Sequence, residues 1–78
     1  MKTPTDISEI AAMIQKDWKN IPSDAATHLK KMQQLHSIYD RYGNLSAKSI
    51  IKTFLNQAKN WHGEAAREIK KKLNEMIN

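Results

Sequence analysis

The histidines are the side chains of this sequence best suited to metal or acid–base chemistry, yet their spacing favours neither. His28, His36 and His62 lack the i, i+4 spacing that places two imidazoles on one helix face. His62-Gly63-Glu64 matches the H-x-E half of a zinc-deaminase signature, but the other half needs cysteines and the chain has none. No paired carboxylates or activated nucleophile stand out. We therefore predict no enzymatic activity, no metal site and no cofactor.

Basic residues offer a different chemistry, the binding of anions. Residues 41–78 hold eight Lys or Arg against three acids, whereas residues 1–40 hold five of each, so the second half carries the whole net charge of +5. At helical spacing these residues form polar stripes on the third and fourth predicted helices. The predicted basic binding face comprises Lys48, Lys52, Asn56, Lys59, Arg67, Lys70 and Lys71.

The alternative is a solvated face whose lysines only maintain solubility. Glu68–Lys72 and Lys71–Glu75 are i, i+4 pairs and Glu64–Arg67 is an i, i+3 pair, so part of the charge on the fourth helix can be neutralised locally.

Aromatic residues could anchor a binding interface, because Trp and Tyr are enriched at such positions. Tyr42 and Trp61 are the candidate anchors, but for both of them, as for Tyr39, packing and binding stay open. Trp18 and Phe54 are expected in the core, where a large ring buries much apolar area. His36, on an apolar helix face, is expected to be half-buried and hydrogen-bonded.

The elements that would position these residues are four amphipathic helices, predicted at about 6–19, 23–36, 46–59 and 64–76. Asp6, with Thr5 as a competitor, Ser23 and Ser46 are the expected N-caps. No strand-like alternation appears. We predict an all-α chain, a compact four-helix bundle or orthogonal helical array, forming a single domain over residues 1–78.

Two local features remain open to more than one interpretation. The second helix could continue to Gly43 as its C′ residue, or Ser37 could begin a separate turn. Residues 42–50 also resemble the turn and second helix of a helix-turn-helix. Gly43 would then make the turn, Leu45 would plug between helices and Ser46 would cap.

Size and composition restrict the setting. The 78 residues make one domain that is too small to stabilise a large cofactor cavity easily. No apolar run approaches a membrane span, and no signal-peptide core follows Met1, so we expect a soluble intracellular protein without membrane contact.

Several strings resemble a small family of uncharacterised all-helical proteins of bacteria, phages and plasmids. They are 14–20 (IQKDWKN), Tyr42-Gly43, 47–51 (AKSII), Phe54-Leu55, Ala58, Trp61, Gly63, 66–70 (AREIK) and Leu73-Asn74. Gln57 stands where that pattern has Asn, and His62 where it has Arg. The resemblance implies one helical domain and a mobile-element or gut-bacterial setting, and with it a cytoplasmic location in a bacterial host. Small proteins of phages and plasmids often bind and block a host defence complex, including CRISPR effectors. It implies no catalytic residues.

Together these observations predict a non-catalytic binding module that contacts an acidic protein or a nucleoprotein complex through its basic face. The alternative is a small basic nucleic-acid-binding protein that uses the helix-turn-helix-like segment. The oligomeric state stays open, because a small core also gains from self-association.

Overall fold

The computed structural model describes residues 5–78 as four helices and one short hairpin. Helices α1 (Ile7–Asp17) and α2 (Ser23–Met32) come first, strands β1 (Arg41–Tyr42) and β2 (Leu45–Ser46) follow, and α3 (Ala47–Gln57) and α4 (Glu64–Ile77) complete the chain. The predicted fold class, a compact array of four helices, is confirmed. Residues 1–4 of the predicted domain lie outside the described residues. None of the described helices combines the length and the apolar character needed to cross a bilayer.

The helices close a ring around one core. Helix α1 packs on α2, α2 on α3, α3 on α4, and α4 returns to α1. The apolar stripe of each helix faces inward because the amphipathic spacing leaves no other way to bury it. The fully buried large side chains are Ile7, Ile10, Ile14, Leu29, Met32, Leu35, Ile50, Ile51, Phe54, Ile69 and Leu73.

Helix starts follow the predicted chemistry at two of three positions. The Oδ1 atom of Asp6 accepts from the backbone N–H of Ser8 at 2.9 Å, and the Oγ atom of Ser46 accepts from Ser49 N–H at 3.1 Å. Ser23 is not an N-cap, because Pro22 holds that position and Ser23 already has helical geometry. Proline's fixed φ lets the chain enter α2 without a capping side chain.

The second helix is shorter than predicted and ends at Met32 instead of residue 36. The Oδ2 atom of Asp40 accepts from the backbone N–H groups of His36 (2.7 Å) and Ser37 (3.1 Å), and His36 C=O accepts from Ile7 N–H at 3.1 Å. These contacts use backbone groups that a continuing helix would need. Leu35 still reaches the core, since its side chain is fully buried.

The hairpin was not predicted. Arg41 pairs with Ser46 and Tyr42 with Leu45, and Gly43 makes the turn at a φ of +62°, which favours glycine. The helix-turn-helix interpretation is wrong, because a strand and not a helix precedes the turn. Leu45 does not plug between helices either, since 40% of its surface is exposed.

Candidate binding surface

Helix α3 presents an outward side that is basic and free of acids. Lys48, Lys52 and Asn56 are exposed opposite the buried Ile50 and Phe54. The helix contains no Asp or Glu. Within residues 5–78, the only ion-pair contact joins His36 to Asp6, so these ammonium groups have no carboxylate partner. Lys59 is also exposed, but it lies in the turn after α3 and not on the helix as predicted.

The positive charge in the first turn of α3 interacts unfavourably with the helix dipole. Among the four described helices, α1, α2 and α4 have Glu9, Asp24 and Glu64 in their first turns, where a negative charge is favourable. Helix α3 has no acid there and has Lys48 instead. A cation at the positive end of a helix costs roughly 0.3–1 kcal/mol. Stability of α3 therefore does not explain the presence of Lys48.

Helix α4 has a mixed outer side. Arg67 and Lys71 are exposed as predicted, but so are Glu64, Glu68 and Glu75. The predicted local pairs are not within ion-pairing distance, yet charges of both signs alternate over the same helix surface. The outer side of α3 therefore carries charge of one sign, whereas that of α4 carries both signs.

Lys70 does not lie on the open basic face. Its Nζ donates to the backbone C=O of Trp61 at 2.6 Å and lies 5.8 Å from the centroid of the Trp61 ring. Burial lowers the pKa of Lys70, because removal from water disfavours the charged ammonium. The side chain joins α4 to the loop before it and is not presented to a partner.

Trp61, the second predicted aromatic anchor, is a core residue and not an anchor. It is 2% exposed, stacks on Trp18 at 5.6 Å between ring centroids, and donates from Nε1 to Asp17 Oδ2 at 2.9 Å. Trp18 also meets Phe54 edge-on at 6.2 Å, so the predicted core positions of these two rings are confirmed. We call Asp17, Trp18, Trp61 and Lys70 the tryptophan corner.

An open groove of about 520 Å³ borders the tryptophan corner. Lys19, Asn20, Asn60 and His62 line it together with the edges of the two indoles. The faces of both rings are already covered, so the groove offers a ligand no aromatic surface on which to stack. No three His, Asp or Glu side chains converge as metal ligands anywhere in residues 5–78.

The hairpin and the loop that leads into it hold the large exposed apolar side chains of residues 5–78. Tyr39 is 90% exposed, Tyr42 42% and Leu45 40%, and no other large hydrophobic residue of the described chain is classed as exposed. The exposure of Tyr42 leaves its ring available for the role of candidate anchor. Sequence reasoning left Tyr39 open and missed Leu45 and Arg41. The sequence signal for these residues is the segment 39–45, whose apolar residues do not follow the spacing of a helix face.

Backbone hydrogen bonds attach the hairpin to the start of α3. Ala47 N–H donates to Asp40 C=O at 3.0 Å, and β2 runs directly into α3. The hairpin therefore leads directly into the first turn of α3, which carries Lys48. We define the hairpin–α3 surface by six exposed residues, Tyr39, Arg41, Tyr42, Leu45, Lys48 and Lys52.

Two carboxylates hold the loop that leads into the hairpin. His36 Nδ1 lies 3.2 Å from Asp6 Oδ1, and the His36 side chain is 70% exposed, so the expected hydrogen bond is present but the half-burial is not. The hydrogen bond from Ser8 is the main cause that lowers the pKa of Asp6. Backbone donors, first His36 and then Ser37, lower the pKa of Asp40.

No protein-family model, curated protein or solved structure matches the chain. The class that fold and surface define is a small four-helix array with a hairpin between its second and third helices. The resemblance to helical proteins of phages and plasmids stays a prediction.

Proposed function

We propose that this protein is a non-catalytic binding module that contacts an anionic partner, an acidic protein or a nucleoprotein complex, through the hairpin–α3 surface. The observation that carries the proposal is the charge of α3. Lys48 and Lys52 are exposed on a helix without acids, and neither has a carboxylate within ion-pairing distance.

The placement of Lys48 supports a role outside the fold. A lysine in the first turn opposes the helix dipole, whereas the other three helices have an acid there. Residues that weaken local stability without a compensating contact are most often found where function requires them. An anionic partner would supply the missing contact and would be attracted over a distance.

One form of this function is inhibition of a host defence complex, such as a CRISPR effector, by a protein of a mobile element. That form depends on the sequence resemblance alone. Such effectors are nucleoprotein complexes, so the charge of the hairpin–α3 surface is compatible with it.

Charge reversal tests the proposal. Lys48→Glu places an acid in the first turn of α3, four residues before Lys52, so the variant should fold at least as stably as the original chain. Combined with Lys52→Glu, it should weaken partner capture from a host lysate by at least about tenfold, the loss of roughly 1.4 kcal/mol of complementary charge.

The matched control is Lys19→Glu with Lys30→Glu, which changes the net charge equally at two exposed positions outside the surface. This control should retain the partner captured by the original chain. Equal capture by the two double variants would remove the hairpin–α3 surface from the proposal.

A further inference from the structure

We propose that the hairpin–α3 surface binds single-stranded nucleic acid, with Tyr39 and Tyr42 stacking on unpaired bases while Arg41, Lys48 and Lys52 contact phosphates. This inference rests on the proposed function and names the chemistry of the partner. It commits to one occupant, a flexible strand with accessible bases.

The exposure of the two tyrosines is the first step. The apolar side chains of this small domain are gathered into one core, yet Tyr39 leaves 90% of its surface in water. A tyrosine that served packing would bury its ring, as the two tryptophans do. Tyr39 lies two positions before Arg41, whose guanidinium has no carboxylate partner within residues 5–78, and an uncovered ring there can stack on a flat ligand.

Local hydrogen bonds hold the platform in place. Tyr39 N–H donates to Ser37 Oγ at 3.2 Å, and Asp40 N–H donates to Ser37 C=O at 3.0 Å. Tyr42 lies in β1 opposite Leu45, and the guanidinium of Arg41 approaches the Asn44 carbonyl at 3.5 Å. The backbone of the two rings is thereby fixed before any ligand arrives, which lowers the entropy cost of binding.

The nature of the occupant follows from the combination of groups. A polyanion that meets three cations and two exposed rings must offer repeated negative charge and repeated flat apolar faces. Each nucleotide supplies both, a phosphate and a base. An acidic protein segment supplies carboxylates but no regular supply of rings, so it fits the lysines better than it fits the tyrosines.

A single strand fits better than a duplex. In a duplex the bases stack on one another, and their faces are not accessible to a tyrosine ring. The hairpin also replaces the first helix that a helix-turn-helix needs to cross the backbone of DNA. Asp40, the acid nearest to the surface in sequence, is occupied by the N–H groups of His36 and Ser37, so it does not compete for the cations.

The probe that tests the inference is oligothymidine of about twelve nucleotides, matched to an oligomer of equal length and charge that lacks bases. Fluorescence anisotropy at low salt should show oligothymidine binding at least about fivefold more tightly than the abasic oligomer. Affinity should fall with salt at a log–log slope of about −2, as expected for three phosphates contacted on a single strand.

Variants separate the rings from the charges. Tyr39→Ser should reduce the preference for bases by about fivefold, whereas Tyr39→Phe, which keeps the ring, should preserve it. Lys48→Glu should weaken both oligomers alike and flatten the salt dependence. The control Lys19→Glu should leave both affinities near their original values.

The inference is overturned by equal affinity for the two oligomers or by a Tyr39→Ser variant without effect. It is also overturned by tighter binding to a duplex or by no binding of oligothymidine at low salt. Equal affinities that both fall with Lys48→Glu would leave the anion-binding function standing. An acidic protein captured through the lysines without oligothymidine binding would also leave it standing. If the Lys48→Glu/Lys52→Glu and Lys19→Glu/Lys30→Glu double variants capture partner alike from a host lysate, the proposed function itself fails.

Discussion

The tryptophan corner and the hairpin combine the same residue types, aromatic rings and cations, yet they use them in opposite ways. At the corner, Trp61 gives its indole N–H to Asp17, its ring face to Trp18 and its carbonyl to Lys70. At the hairpin, the ring of Tyr39 is nearly all exposed. A pair of an aromatic and a basic residue is therefore a candidate binding site only when no other part of the chain already contacts it.

The positions of the two regions relative to the four helices account for this difference in burial. The corner lies where the loop before α4 meets the end of α1, and residues from three places in the sequence converge there. The hairpin lies outside the helical ring, where its rings have no second layer to cover them. Burial at the corner contributes to folding, whereas the exposed groups of the hairpin remain available for binding.

Truncation of one ring from each region should give the largest difference in stability. Trp61→Ala removes a buried ring and leaves Asp17 without its donor, so it should lower the free energy of unfolding by about 3–5 kcal/mol. Tyr39→Ala should change it by less than about 0.5 kcal/mol, because almost nothing covers that ring. Urea denaturation followed by circular dichroism measures both changes. A similar loss for the two variants would contradict the contrast between the regions.

A smaller difference in the free energy of unfolding is expected between variants of two neighbouring lysines of α4. Lys70→Met keeps the apolar stem but leaves the Trp61 carbonyl without its donor, so it should cost about 1 kcal/mol. Lys71→Met removes an exposed ammonium with no such contact and should stay within about 0.5 kcal/mol. The same urea titration measures this pair. Equal stabilities would show that the ammonium of Lys70 contributes nothing beyond its stem.

Much of the fold could be predicted because it depends on local patterns. The starts of α1, α3 and α4 agree with the prediction to within one residue, since caps and apolar periodicity operate over one or two turns. The end of α2 could not be predicted, because the Asp40 side chain redirects the backbone from outside the helix. The hairpin has strands of two residues, too short for alternation to reveal them.

The candidate site was predictable in part for the same reason. The outward lysines of α3 follow from helical spacing opposite the core stripe. The burial of Trp61 does not, because its hydrogen-bond partner Asp17 is 44 residues away in sequence. The same spacing rule placed Lys70 on the outer stripe, but its long stem folds back to the loop before α4.

The smallest effect is expected from acidification, because two partly buried carboxylates hold the loop that leads into the hairpin. The folded chain lowers the pKa of Asp40 and of Asp6 below the usual value of 3.8. The stabilisation they provide is therefore complete above that value and is lost as pH falls through the lower folded values. The backbone N–H resonances of His36 and Ser37, which donate to Asp40, should shift in this range.

Tryptophan fluorescence reports on the packing of the tryptophan corner. It should keep the value of the folded protein over the pH range in which these amide resonances shift. In Asp40→Asn the side chain no longer ionises, so the acid-induced shifts of His36 and Ser37 should disappear and the stability curve should become shallower below the usual carboxyl range. The matched variant Asp24→Asn removes an acid from the start of α2 and should retain both shifts. If fluorescence changes first, or if Asp40→Asn titrates like the original chain, then Asp40 does not hold the hairpin in place.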